Sequence, residues 1–169
     1  VQCLVGSEMC IRDRLYIGYR WFTARHLEPA VPFGHGLSYA SFEWGTPNVT
    51  GSQSTDLSSD VVVEVDVTNT SERSGTEVVQ LYIAPPESTL HRPPIELKGY
   101  AKLALEPGET KTASITLNFR SFAYFDPGDQ FYNTLDANSP VPRETGSRRT
   151  EPGWYAEPGV CLLYTSDAA

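Results

Sequence analysis

The side chains able to do chemistry in this sequence are few and far apart. His26, His35 and His91 show neither an HxH nor an HExxH spacing, and an imidazole metal site needs ligands that converge from one face of an element. Ser38 sits in Gly36-Leu37-Ser38-Tyr39, without the second glycine that lets a nucleophilic serine stand on a sharp strand-to-helix turn. The carboxylates fall in three sets. Glu64 and Asp66 alternate along one run, Glu106 and Glu109 flank a Pro-Gly step, and Asp126, Asp129 and Asp136 belong to a polar segment. Acids at alternating or turn-flanking positions are ordinarily solvated, so none of these sets is assigned general acid/base work. The sequence therefore predicts no catalytic, cofactor-binding or metal-ligating residue, and no cofactor.

What stands out instead is apolar and structural. Arg20 lies inside the apolar run Leu15–Phe22, LYIGYRWF, and a charge in such a run is seldom buried unpaired. A carboxylate or carbonyl partner across a domain junction is expected for it. Downstream, Val31–Trp44 reads VPFGHGLSYASFEW, glycines and a proline punctuating aromatic and apolar residues. Gly34 and Gly36 are expected to supply backbone angles or close approach that other residues cannot. Phe33, Leu37, Tyr39 and Phe42 are expected to anchor this connector against both of its neighbours. Arg20, Phe33, Gly34, Gly36, Leu37 and Tyr39 form the candidate junction. Trp21, Trp44 and Trp154 could stack on sugar rings, but aromatics in a small sandwich are more often core or interface.

These residues need elements to hold them. The run Val61–Asn69, VVVEVDVTN, places four valines on one face and Glu64, Asp66 and Thr68 on the other, the period of a half-buried strand. Thr76–Ala84 follows after a polar turn, and the two read as a hairpin. Leu97–Leu105 predicts a weaker strand. Glu106-Pro107-Gly108-Glu109 puts proline and glycine where a type II turn requires a fixed and a positive φ. Lys111–Phe119 leaves that turn with Ala113, Ile115, Leu117 and Phe119 facing in, and Phe122–Phe125 predicts one more strand. Short alternating strands without an amphipathic helix imply an all-β, antiparallel immunoglobulin- or fibronectin type III-like sandwich. Leu15–Phe22 predicts a remnant strand leading into an extended linker. Asp126–Gly153 is rich in Pro, Asn, Ser, Asp and Arg, and its length marks a functional or mobile loop. Trp154–Val160 should open the final strand.

The ends differ in kind. Written back into codons, Leu4–Asp13 and Cys161–Ser166 resemble a transposase-type sequencing adapter in its two orientations, so 1–14 and 161–169 are expected to be read-through. Cys3, Cys10, Cys161 and Met9 all fall in those segments, which leaves no disulfide argument from the cysteine count. The formal charge of −8 disfavours a phosphate backbone, whose recognition needs clustered Lys and Arg. Neither nucleic acid nor a membrane is expected as a partner. Asn48-Val49-Thr50 and Asn69-Thr70-Ser71 fit the glycosylation sequon.

Taken in order, YIGYRWF, PFGHGLSY, EVVQLYIAPP, RPPIELKGYAKLALEPGE and WYAEPGV resemble the C-terminal region of family 3 glycoside hydrolases, the β-glucosidase and β-xylosidase group. The resemblance covers nearly all of Leu15–Val160. It implies that 15–38 is the end of an α/β domain and its exit, and that 39–160 is a fibronectin type III-like domain. It also implies that the partners are the upstream catalytic domains of the same chain and, through them, an oligosaccharide substrate. Retaining glycosidases use two carboxyl groups about 5–5.5 Å apart, and the family carries both upstream of this region. The competing reading is a non-catalytic carbohydrate- or protein-binding sandwich. A free-standing module, however, has no evident need for YIGYRWF and PFGHGLSY.

Overall fold

The structure is a computed structural model that describes residues 16–51, 60–85, 92–128, 150–156 and 162–164. Its elements in chain order are α1 (Tyr19–Ala24), β1 (Phe42–Trp44), β2 (Asn48–Gly51), β3 (Val61–Asn69), β4 (Gly75–Ala84), β5 (Glu96–Leu105), β6 (Thr110–Leu117), α2 (Phe119–Phe122), β7 (Tyr124–Asp126), β8 (Gly153–Tyr155) and β9 (Leu162–Tyr164). Contacts divide the chain into two compact units. One comprises Phe33–Ile83, Leu97–Ser121 and Leu163–Ala169; the other comprises Val1–Pro32, Ala84–Glu96 and Phe122–Leu162.

The first unit is the β-sandwich. In one sheet β3 pairs antiparallel with β6 along its whole length, while its other edge is shared by β2 and β1 in turn. The second sheet runs β5-β4-β9. The valine alternation is realised as expected: Val63, Val65 and Val67 are buried beside Ile115 and Ala113 of β6, and Val61 lies opposite Leu117. From the other sheet Val79, Leu81, Ile83 and Leu105 are buried. Each such aliphatic side chain contributes about 1.5–3 kcal/mol relative to an exposed one.

Two expectations need correction here. β3 and β4 are consecutive but join different sheets, so the connection is an arch and not a hairpin. Each strand has one strongly apolar face, and those faces are buried by meeting across the core. Pairing edge to edge would leave both faces needing a further layer. Asn69 holds the arch. It is fully buried, and its Nδ2 donates to the carbonyls of Arg73 (2.7 Å) and Leu105 (3.2 Å), while its Oδ1 accepts from the Ser71 amide (3.0 Å) and hydroxyl (2.7 Å). The second correction concerns Phe119, which does not extend β6. The strand stops at Leu117 and the chain enters the short turn α2, where Phe119 is half-buried.

The Glu106–Glu109 turn forms as its residues dictate. Gly108 has φ +73°, and the Glu109 amide donates to the Glu106 carbonyl at 3.0 Å. It too links the two sheets, since β5 pairs with β4 and β6 with β3.

In the second unit β7 and β8 form a two-stranded stem with Tyr124 opposite Tyr155, Phe125 opposite Trp154 and Asp126 opposite Gly153. Buried Asp126 accepts a hydrogen bond from the Gly128 amide at 2.9 Å. The long polar loop that this stem closes lies outside the described residues from 129 to 149, as do 157–160 of the expected last strand. Tyr16 is buried and its hydroxyl donates to the Arg92 carbonyl at 3.3 Å. Burial also pushes its phenol above the ordinary value.

Of the run Leu15–Phe22, the described residues from Tyr16 onward do not form a strand. From Tyr19 it is the six-residue helix α1, preceded by Gly18 at φ +60°. Among the described residues no strand lies beside it to complete a ladder, and local bonds satisfy its backbone instead. The amides of Arg25 and Leu27 donate to Trp21 (3.1 Å) and Phe22 (2.9 Å).

Candidate functional site

The candidate junction centres on the first residues of the sandwich unit. β4 is apolar toward the core, but its opposite face carries Gln80 and Tyr82, both buried. A buried amide must be paired, and here the pairing is with the connector. The Gln80 Nε2 donates to the carbonyl of Phe33 at 3.1 Å, and the Tyr82 hydroxyl donates to Gln80 Oε1 at 2.5 Å. Gly34 makes this possible. Its φ is +86°, and a Cβ there would stand 1.7 Å from Gln80 Nε2.

Gly36 is different. A Cβ there would meet nothing closer than the Ser38 amide at 4.0 Å, and its φ is not positive. Neither the expected special angle nor a close approach accounts for it.

The three apolar side chains of the junction do not pack down. Phe33, Leu37 and Tyr39 are 61 %, 93 % and 86 % exposed, so of the anchoring expected against both neighbours the part against the sandwich is not made. The Arg73 guanidinium lies 5.7 Å from the ring centroid of Tyr39. Phe42, the fourth expected anchor, is half-buried in β1.

Arg20 lies in α1, half-buried, and its Nε donates to the neighbouring Tyr19 hydroxyl at 3.4 Å. The acceptor is thus a phenol next to it in sequence, not the carboxylate or carbonyl expected across a junction. Arg20 and the Phe33–Tyr39 stretch belong to separate units.

Of the acids singled out in the sequence and described by the structure, Glu64, Asp66, Glu106 and Glu109 are exposed or half-buried, and one other is not. Asp66 accepts from Thr112 at 2.5 Å on the outer face of the sheet. Glu109 accepts from the Glu106 amide at 2.8 Å and pairs with Lys111 at 3.1 Å. The Glu106 amide first, and Lys111 second, hold the Glu109 carboxyl below its ordinary value. The exception is Asp126, buried in the stem. His91, Asp129 and Asp136 lie outside the described residues. Among the described residues no group of three His, Cys, Asp or Glu could hold a metal ion, and no helix is long and apolar enough to cross a membrane.

Sequence reasoning missed Gln80 and Tyr82. The available signal was a glutamine in the middle of the apolar run VVQLYI. An amide there implies a covered polar contact on that face.

Residues 77–164, more than half of the sequence, match the fibronectin type III-like domain family. The chain belongs to that family. This fibronectin type III-like domain is 45 % identical over 115 residues to a β-glucosidase of Rhizobium radiobacter, covering 68 % of this chain and 14 % of that protein. It is 36 % identical over 153 residues to the β-glucosidase BoGH3A of Bacteroides ovatus, covering 90 % of this chain and 17 % of the relative. Among solved structures, DesR, a β-glucosidase from Streptomyces venezuelae crystallised with D-glucose, superposes with a TM-score of 0.65 at 32 % identity. That superposition covers 89 % of this chain and 16 % of DesR. The chain therefore spans about one sixth of the length of these relatives.

Proposed function

We propose that this fibronectin type III-like domain is the C-terminal accessory part of a β-glycosidase that releases terminal β-linked glucose or xylose, and that the piece itself carries no catalytic residue. The observation that carries this reading is the 45 % identity to a β-glucosidase of which the chain covers 14 %. A supporting one is the junction. Phe33, Leu37 and Tyr39 are presented to solvent on a connector whose backbone is locked to Gln80, the arrangement expected where a rigid segment meets another domain.

On this reading residues 15–38 are the exit of a preceding α/β domain, 39–160 are the accessory domain, and 1–14 and 161–169 derive from sequencing adapter. The partners are the upstream catalytic domains of the same chain. The loop 127–153, held on the β7–β8 stem, extends toward the rim of their active site.

The deciding experiment is to walk outward from the core-coding DNA in its source and read the continuous frame. A barrel bearing a nucleophilic aspartate, followed by an α/β domain ending in YIGYR, supports the enzyme. A signal peptide leading straight into this sandwich, or repeated sandwiches, replaces it with a free-standing binding module.

A further inference from the structure

Among the described residues β5 pairs only with β4 and β6 only with β3, each on one edge. The two strands nearly touch. A Cβ on Gly99 would lie 2.4 Å from Ile115 Cγ2, so no third strand can enter between them. Because Gly99 has no side chain, the surface above this contact is a groove of about 520 Å³, lined by Leu97, Lys98, Gly99, Tyr100, Ser114 and Thr116, with Ile115 in its floor.

The two walls are chemically unlike. Along one stands Tyr100, 72 % exposed. Along the other are hydroxyls of the outer row of β6. In that row Thr110 is bonded to Thr68 and Thr112 to Asp66. Ser114 and Thr116, the two that reach the groove, make no side-chain hydrogen bond among the described residues. Lys98 is the one charged residue in the lining, too little positive charge to hold a phosphate polymer.

An exposed tyrosine and unspent hydroxyls lining one open groove are the groups that complement a pyranose. The C–H face of the sugar packs on the ring, and its equatorial hydroxyls exchange hydrogen bonds at the sides. We propose that this groove binds a β-linked oligosaccharide chain, with one sugar ring stacked on Tyr100 and its hydroxyls held by Ser114 and Thr116. The choice of β-linked glucose or xylose units rests on the function proposed above. The geometry alone requires only a pyranose.

The test is calorimetric or NMR titration of the full 169-residue chain with cellohexaose and xylohexaose, with circular dichroism to verify that each variant is folded. At least one ligand is expected to bind, Tyr100→Ala to weaken it about tenfold, and Tyr100→Phe to retain it, because stacking needs the ring and not the hydroxyl. Ser114→Ala combined with Thr116→Ala weakens binding while leaving stability unchanged. Trp154→Ala, at an exposed aromatic of the β7–β8 stem, leaves affinity unaltered. Absence of binding at millimolar sugar, affinity unchanged in folded Tyr100→Ala, or affinity lost in Trp154→Ala overturns the proposal. Upstream DNA encoding a glycosidase together with no binding sinks the groove alone. Binding through Tyr100 without such upstream DNA sinks the enzyme reading alone.

Discussion

Gln80 and Gly34 are matched: the glutamine amide occupies the space that any side chain at position 34 would fill, 1.7 Å from its Cβ position, and from there it bonds the Phe33 carbonyl. The connector is therefore fastened by the absence of one side chain and the burial of another. Gly34→Ala must strain a positive φ, worth about 1–2 kcal/mol, and expel a buried amide from its hydrogen bonds, worth about 1–3 kcal/mol more. Urea denaturation should show a loss of about 2–5 kcal/mol, the sum of those two costs. Gly36→Ala, with open space and an ordinary φ, should stay within about 0.5 kcal/mol of the parent sequence.

The same contact predicts non-additivity. Gln80→Ala leaves the Phe33 carbonyl and the Tyr82 hydroxyl without this partner, and should cost about 1–3 kcal/mol. In that background Gly34→Ala no longer has an amide to displace, so its cost should fall to the backbone part alone. A double-mutant cycle by chemical denaturation measures the difference. Strictly additive costs would show that the contact does not form in solution.

Asn69 should be the most sensitive polar position of the sandwich. Asn69→Asp replaces a two-proton donor, facing the Arg73 and Leu105 carbonyls, with an acceptor in a fully buried site. It should destabilise by at least about 3 kcal/mol. The sequon it belongs to is masked for the same reason. Secreted from a eukaryotic host, the folded product should carry glycan at exposed Asn48 and none at Asn69, as read by mass spectrometry of tryptic peptides.

Glu109 predicts a pH effect. Its carboxyl is held below the ordinary value by the Glu106 amide and Lys111. A carboxyl lowered on folding stabilises the native state above the unfolded pKa, and that contribution is lost as pH falls through the folded one. The stability advantage of the parent sequence over Glu109→Gln should therefore be present at pH 7 and vanish between about pH 5 and 3. Urea midpoints for both proteins across that range test it. An advantage that grows on acidification would contradict the assignment.

The exposed junction residues predict a contrast between piece and whole. Leu37→Ser, at 93 % exposure, should leave the denaturation midpoint of this chain unchanged to within about 0.5 kcal/mol. If the proposed function holds, the same substitution in the complete protein should lower the thermal midpoint, because the side chain would there meet the preceding domain. Equal insensitivity in both proteins would remove Leu37 from the interface.

Strand identity and facing could be read from the sequence. Period-two alternation states which residues of Val61–Asn69 and Lys111–Leu117 turn inward, and the chemistry of Pro107 and Gly108 states how the chain reverses. Alternation says that a face is buried but not against what. Only the tertiary structure decided that β3 and β4 face each other across the core, since a strand edge carries no label for its neighbour. Leu15–Phe22 shows the same limit: its apolar run is compatible with a strand, and without a neighbouring ladder it turns helical from Tyr19. Gln80, Gly99 and the groove beside Tyr100 arise from contacts between residues tens of positions apart. Such contacts depend on the register and separation of the sheets, quantities that a local pattern does not contain.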